Sequence, residues 1–205
     1  MRIKEKDRTK TQIIKVLILC FINYFNLIYI LILFIIIYRL ETKNKLFLLD
    51  AMALIYRAHF AFSKNPIVNS KGMNTSAVYG FLNTLIELIR KEEPSHLAVV
   101  FDTKAPTFRS VIFKEYKANR ERQPEDIQVA IPIIKNLLNL LSIKTLEKDG
   151  FEADDVIGSV ATQFGSSEGS VIYMMTPDKD FAQLVSENIF LYKPAFMGRG
   201  VDAQK

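Results

Sequence analysis

LFLLDAMALIYRAHFAF, residues 46–62, runs from four bulky apolar residues through a single carboxylate into a helical pattern. An unbroken apolar run of that length suits a strand covered on both faces. Beyond Asp50, the residues Leu54, Ile55, Ala58 and Phe62 recur at helical spacing. The reading is a strand over Lys45–Leu49 and a helix over Ala51–Phe62. A buried strand feeding directly into a helix is the unit from which parallel sheets are built.

Working outward, the same arrangement returns. LAVVFD ends at Asp102, and YMMTPDKD ends with Asp178 and Asp180. KTLEKDGFEADD carries Glu152, Asp154 and Asp155 ahead of another helical pattern. Strands are expected at Leu97–Phe101, Ile143–Leu146, Val171–Met175 and Ile189–Tyr192. Helices are expected at Ser76–Arg90, Glu125–Leu141 and Ala153–Phe164, with a short one near Asp180–Leu184. Asn65–Thr75 reads as a polar loop, and Phe196 to Lys205 shows no periodicity. This is an α/β fold with a mostly parallel sheet flanked by helices, Rossmann-like in outline.

In such sheets ligands bind beyond the carboxyl ends of the strands. Asp50, Asp102, Glu152, Asp154, Asp155, Asp178 and Asp180 all fall there, and seven converging carboxylates repel one another unless a cation holds them. Each acid also has a plainer reading as a helix cap. A cap needs one residue, however, while EADD offers three acids in four positions and DKD two in three. Asp102 has no evident helix to cap.

The composition narrows the cation. The one cysteine, Cys20, lies in the amino-terminal stretch, and the only histidines are His59 and His96. Thiolate zinc sites, a cysteine nucleophile and an imidazole-rich centre are thereby excluded from residues 40–205. Oxygen ligands remain, which suit Mg²⁺ or Mn²⁺. Cytoplasmic, reducing conditions fit a domain with no cysteine.

The formal net charge of +5 is carried by residues 1–39; the remainder has twenty charges of each sign. A local basic patch nevertheless stands out. Lys104, Arg109, Lys114, Lys117, Arg120 and Arg122 face only Glu115 and Glu121, with Phe108, Phe113 and Tyr116 interleaved. Cations among aromatics suit a phosphate backbone and unstacked bases. A solvated face with its aromatics in the core is the equal alternative on this segment alone.

Val16 to Tyr38 is 23 residues without a charge, flanked by Lys15 and Arg39. As a helix it would be roughly 35 Å long, enough to cross a bilayer. Residues 1–50 also lack Gly, Ala and Pro and are crowded with residues that AT-rich codons specify. Residues 1–40 are thus read either as an appended hydrophobic helix, which would make the protein membrane-associated, or as translated upstream sequence.

Taken together, LFLLDAMALIYRAHFAF, AVYGFLNTL, AVVFDTKAPTFR, YKANR, PEDI, GFEADDVIGSVA and MMTPDKDFAQLVSENI resemble the 5′-nuclease domain of bacterial DNA polymerase I. That domain stands with the flap endonucleases in a PIN-like fold. The resemblance runs from about Lys45 to Pro194, and it sets the expected organisation: a nuclease domain over 41–195, preceded by the extension and followed by a tail at 196–205. It implies a monomeric, Mg²⁺-dependent 5′-3′ exonuclease and flap endonuclease acting on DNA with a 5′ flap or RNA primer. PIN-type ribonuclease activity is the neighbouring alternative.

By motif, the seven acids match the family's metal cluster, with two ions expected. Asp102, Glu152, Asp154 and Asp155 would serve mainly one ion and Asp178 and Asp180 the other, with Asp50 orienting waters or the first ion. Lys117 and Arg120 match the catalytic cations beside the scissile phosphate. Tyr56 matches a base-stacking aromatic, and Arg57 is a candidate phosphate contact. Lys104–Arg122 matches a basic helical arch over the 5′ strand, so Lys104, Arg109, Lys114 and Arg122 are candidate DNA contacts. The family has a further carboxylate pair and a helix-hairpin-helix element beyond the matching region. The expectation is therefore a fragment, which could bind DNA without cutting it.

Overall fold

The buried apolar run around Phe47 becomes the central strand of a six-stranded sheet in the order β3-β2-β1-β4-β5-β6. The computed structural model describes residues 28–32, 44–119, 121–193 and 203–204. In chain order these hold β1 (Asn44–Asp50), α1 (Ala51–Ala61), α2 (Ser76–Glu92), β2 (His96–Val100) and α3 (Phe108–Ile112). Then come α4 (Glu125–Leu140), β3 (Lys144–Leu146), α5 (Ala153–Gly165) and β4 (Ser170–Met175). A 3₁₀ turn (Lys179–Leu184), β5 (Ile189–Tyr192) and β6 (Ala203–Gln204) complete the order. β1 to β5 are mutually parallel, and β6 pairs antiparallel with β5.

The alternation of side chains along a strand divides the core in two. Phe47 and Leu49 of β1 join Val99, Phe101 and Met175 beneath α1, α2 and α4, whose buried residues include Leu54, Ile55, Phe81, Leu85, Ile127 and Ile134. Leu48, Val100, Ile172 and Met174 point the other way, onto Ala153, Ile157 and Ala161 of α5 and onto Phe181. Both faces of β1 are therefore dry, which explains why its sequence is an apolar run instead of an alternation. Where α1 meets α2, Gly80 is required. A Cβ there would lie 2.7 Å from Ala58 Cβ and 3.3 Å from Ala58 Cα, closer than packed atoms tolerate.

The strand order places a topological switch at β1. From it the chain steps to β2 and β3 on one side, and to β4 and β5 on the other. Crevices open at such points beyond the strands' carboxyl ends.

Two expectations are corrected. The segment 104–122 is not a helical arch throughout: among its described residues only α3 is helical, and turns follow. No residue of α3 is buried, so little apolar packing supports a longer helix. The tail was expected to be irregular, yet Ala203 and Gln204 pair with Tyr192 and Leu191. Pairing to a sheet edge is a tertiary event that local periodicity does not record.

Residues 1–43 form a separate unit from 44–205. Within it only 28–32 are described, as a short helical stretch, so the apolar expectation over 16–38 otherwise lies outside the described residues. No helix among the described residues is long and apolar enough to cross a membrane.

Candidate metal centre and phosphate-binding face

Four adjacent parallel strands deliver acids to one end of the sheet. Asp50 closes β1 and is 7% exposed. Its Oδ1 accepts from Ala53 N–H at 3.0 Å, capping α1, and its Oδ2 accepts from Thr176 Oγ1 at 3.0 Å. That second bond ties the end of β1 to the residue after β4. Asp178 in turn accepts from Asp180 N–H at 2.9 Å, capping the 3₁₀ turn.

Asp102, two residues past β2, does have a helix to cap. Its Oδ1 accepts from Ala153 N–H at 2.8 Å, at the start of α5, 51 residues away in sequence. Local pattern cannot show a cap supplied across the sheet. The cap and ligand readings of these acids are therefore not exclusive: one oxygen can hold backbone while the other faces solvent.

Two adjoining clefts result, of about 410 and 430 Å³, and Lys117, Glu152, Asp154 and Asp178 line both. Asp50 and Asp102 line the first, together with Thr103 and Thr107. Asp155, Asp180, Arg109 and Tyr116 line the second. All seven predicted carboxylates are thus brought to this place. Among the described residues, no three His, Cys, Asp or Glu side chains stand in ligating geometry.

The electrostatics record the crowding. Asp154 is pushed up to about 6, first by partial burial and then by the neighbouring charges of Asp50, Asp102 and Asp178, with Lys117 opposing. Asp50 is raised as well, chiefly by burial, although its bonds from Ala53 and Thr176 pull the other way. An all-oxygen donor set whose members resist ionisation beside one another fits a hard divalent cation.

The pH dependence follows from the direction of the Asp154 shift. A carboxyl whose folded value lies above its unfolded value near 3.8 favours folding while protonated. That contribution is lost as pH rises through about 6. A bound cation removes the penalty of the ionised form. Added Mg²⁺ is therefore expected to raise the melting temperature more at about pH 7 than at about pH 5. Equal shifts at both pH values in thermal denaturation would contradict this.

Basic residues close the second cleft. Lys117 Nζ donates to Glu152 Oε1 at 2.7 Å, and Tyr116 Oη donates to Glu152 Oε2 at 3.2 Å. Arg109 grips Asp155 through both terminal nitrogens, at 2.6 and 2.7 Å. Hydrogen bonding from Arg109 holds the Asp155 carboxyl below the usual carboxylate range. Lys117 has φ 57°, a left-handed conformation that costs a residue with a Cβ on the order of 1 kcal/mol. That strain sits where the Lys117 ammonium is aimed at Glu152.

The other candidates fare differently. Arg120 lies outside the described residues. Lys104, Lys114 and Arg122 are exposed and line neither acidic cleft. Tyr56 packs against the core beneath α1 and stacks on Phe60 with ring centroids 6.2 Å apart. Arg57 faces separate grooves walled by Phe62 and Ile67. Sequence reasoning missed Thr176, and treated Tyr116 only as an aromatic, not as a donor to Glu152. A hydroxyl one residue past an acid-tipped strand was the available signal for Thr176.

Comparison with known proteins identifies the family and the fold. The family described as "5′-3′ exonuclease, N-terminal resolvase-like domain" matches residues 45–204. A 5′-3′ exonuclease of Aquifex aeolicus is 46% identical over 149 residues, covering 73% of this chain and 50% of that protein. DNA polymerase I of Treponema pallidum is 40% identical over 150 residues, covering 73% of this chain and 15% of that protein. The chain thus spans half the length of the first relative and a small part of the second. In fold it is similar to the T5 5′-exonuclease with zinc bound, at TM-score 0.55 and 18% identity, covering 77% of this chain and 57% of that one. It is equally similar to the bacteriophage T5 D15 flap endonuclease in a pseudo-enzyme-product complex with DNA and metal ions, at TM-score 0.55 and 19% identity, with the same coverage of each chain.

Proposed function

The chain belongs to the 5′-3′ exonuclease family, and from that premise we propose that its domain hydrolyses phosphodiester bonds at 5′ ends of DNA. Its substrates are 5′ flaps and RNA primers, and its cofactor is Mg²⁺ or Mn²⁺, with two ions per site. The observation that carries the reading is the convergence of acids from four neighbouring strand ends beside a cationic wall. Carboxylates alone would repel a phosphate. Carboxylates holding divalent ions, next to Lys117 and Arg109, attract one.

Asp50, Asp102, Glu152, Asp154, Asp155, Asp178 and Asp180 are the acids available to hold the ions. When bound, the ions activate water and stabilise charge on the phosphate and on the leaving 3′ oxygen. The chain's own residues do the rest. Asp102 is fixed through Oδ1 by Ala153 N–H, which leaves its Oδ2 aimed before substrate arrives. Asp50 is held on both oxygens, by Ala53 N–H and Thr176 Oγ1, and offers its remaining lone pairs from a fixed position. Lys117, with Arg120 beside it in sequence, donates to the non-bridging oxygens of the scissile phosphate. Lys104, Lys114 and Arg122, exposed on the same segment, track the 5′ strand electrostatically. Tyr56 is a stacking surface for a base once a side-chain rotation frees its ring, and Arg57 is a phosphate contact further along α1.

A flap-bearing duplex labelled at its 5′ end tests the reading. The chain is expected to release short 5′ products with Mg²⁺ and none with EDTA. Equal cleavage with EDTA would refute metal-ion catalysis. Faster cleavage of single-stranded RNA than of flap DNA would favour the ribonuclease reading.

A further inference from the structure

We propose that Asp155 is a positioning residue and not an ion ligand: through Arg109 it fastens the start of the basic segment 104–122 to α5. The proposal rests on the nuclease reading and refines it, since it removes one of the seven acids from the metal set.

Asp155 differs from its neighbour in how its oxygens are spent. A carboxylate offers about four acceptor positions. Arg109 takes one on each oxygen, at 2.7 and 2.6 Å, and Glu152 N–H takes a further one on Oδ2 at 3.0 Å. An ion on Asp155 would have to break a two-pronged guanidinium pair and then sit against the displaced positive charge. The Asp154 side chain, by contrast, makes no hydrogen bond among the described residues and lines both clefts. The two adjacent acids of EADD thus face different tasks.

The segment needs such a fastening. α3 buries none of its residues, and Val111 and Ile112 are 71% and 81% exposed. Besides the Arg109 pair, its start is held by Phe108 N–H on the Gly150 carbonyl at 2.9 Å and by the Phe108–Phe151 ring contact. Arg109 lies eight residues before Lys117, so releasing it frees the stretch that carries the ammonium to Glu152. The expected consequence is a loss of positioned cations with the ions still in place.

The test uses the 205-residue chain and Mn²⁺, whose free concentration is read by electron paramagnetic resonance. Asp155→Asn is expected to leave Mn²⁺ affinity within about twofold of the parent, while Asp154→Asn weakens it about tenfold or more. Asp155→Asn and Arg109→Gln should each speed tryptic cleavage at Lys114 and Lys117. Each should also lower kcat on flap DNA about tenfold, with half-saturating metal unchanged, and the double variant should be no worse, as for two halves of one contact. Arg109→Lys should recover part of kcat.

Mn²⁺ affinity falling as far in Asp155→Asn as in Asp154→Asn would overturn the proposal. So would additive defects in the double variant. If Asp155→Asn fails to fold, Arg109→Gln decides alone, and parental protease resistance with parental kcat would refute the fastening. If the parent chain cuts nothing, the nuclease reading falls, while the Mn²⁺ and proteolysis arms still settle the role of Asp155.

Discussion

Asp154→Asn is expected to lower Mg²⁺-dependent flap cleavage about 10²–10³-fold, the usual scale for losing one preorganised group that stabilises transition-state charge. Asp154 lines both clefts and lies within the fields of Asp50, Asp102 and Asp178, so its oxygens stand where divalent charge is most needed. The same substitution should make the metal-free protein more stable. Near neutral pH an ionised Asp154 opposes folding, because its folded value of about 6 lies above its unfolded value. The side chain is more than a third exposed, so solvent screening leaves on the order of 1 kcal/mol of relief, or roughly 2–4 °C in melting temperature. Asp149→Asn, on an exposed turn outside both clefts, is the control and should change neither quantity. Loss of activity together with a lower melting temperature in Asp154→Asn would mean that the carboxylate is structural, which would undo the metal-site reading.

Phe47→Ala should cost about 3–5 kcal/mol of folding free energy, the range for a buried aromatic replaced by alanine. Phe47 is fully buried in the central strand. Its ring stacks on Tyr173 with centroids 4.6 Å apart and meets the edge of Tyr192 at 5.2 Å. The cavity would lie between the sheet and the helices above it, where neighbouring strands limit collapse. A shift of the urea midpoint with an unchanged slope is the expected signature. A loss under 1 kcal/mol would show that the helices settle into the space, contrary to the packing described.

The legible parts of this protein were those governed by short-range pattern. β1 and α1 could be read because an apolar run and a helical stripe meet at one residue, Asp50. The acids were legible as a group, because strand ends in a parallel sheet converge whichever loops join them. The task of each acid was not, because it depends on partners distant in the chain. Asp102 caps α5, Thr176 meets Asp50 and Arg109 takes Asp155, and none of these pairings leaves a mark on local spacing. Segment 104–122 is cationic by sequence, and its Arg109, Tyr116 and Lys117 line the acidic clefts in the structure. The helical arch was implied by the family resemblance alone, and among the segment's described residues only Phe108–Ile112 is helical.

The bond from Thr176 to Asp50 spans 126 residues, and the one from Ala153 to Asp102 spans 51. A chain growing from the ribosome therefore carries its first acid long before it can carry a cleft. Contacts of such separation form only after the intervening loop closes, and domains made vectorially must wait for the later strand to emerge. Until β4 has left the exit tunnel and joined the sheet, the nascent polypeptide carries its first acids but no cleft, so the proposed cutting of nucleic acid cannot begin before the domain has closed.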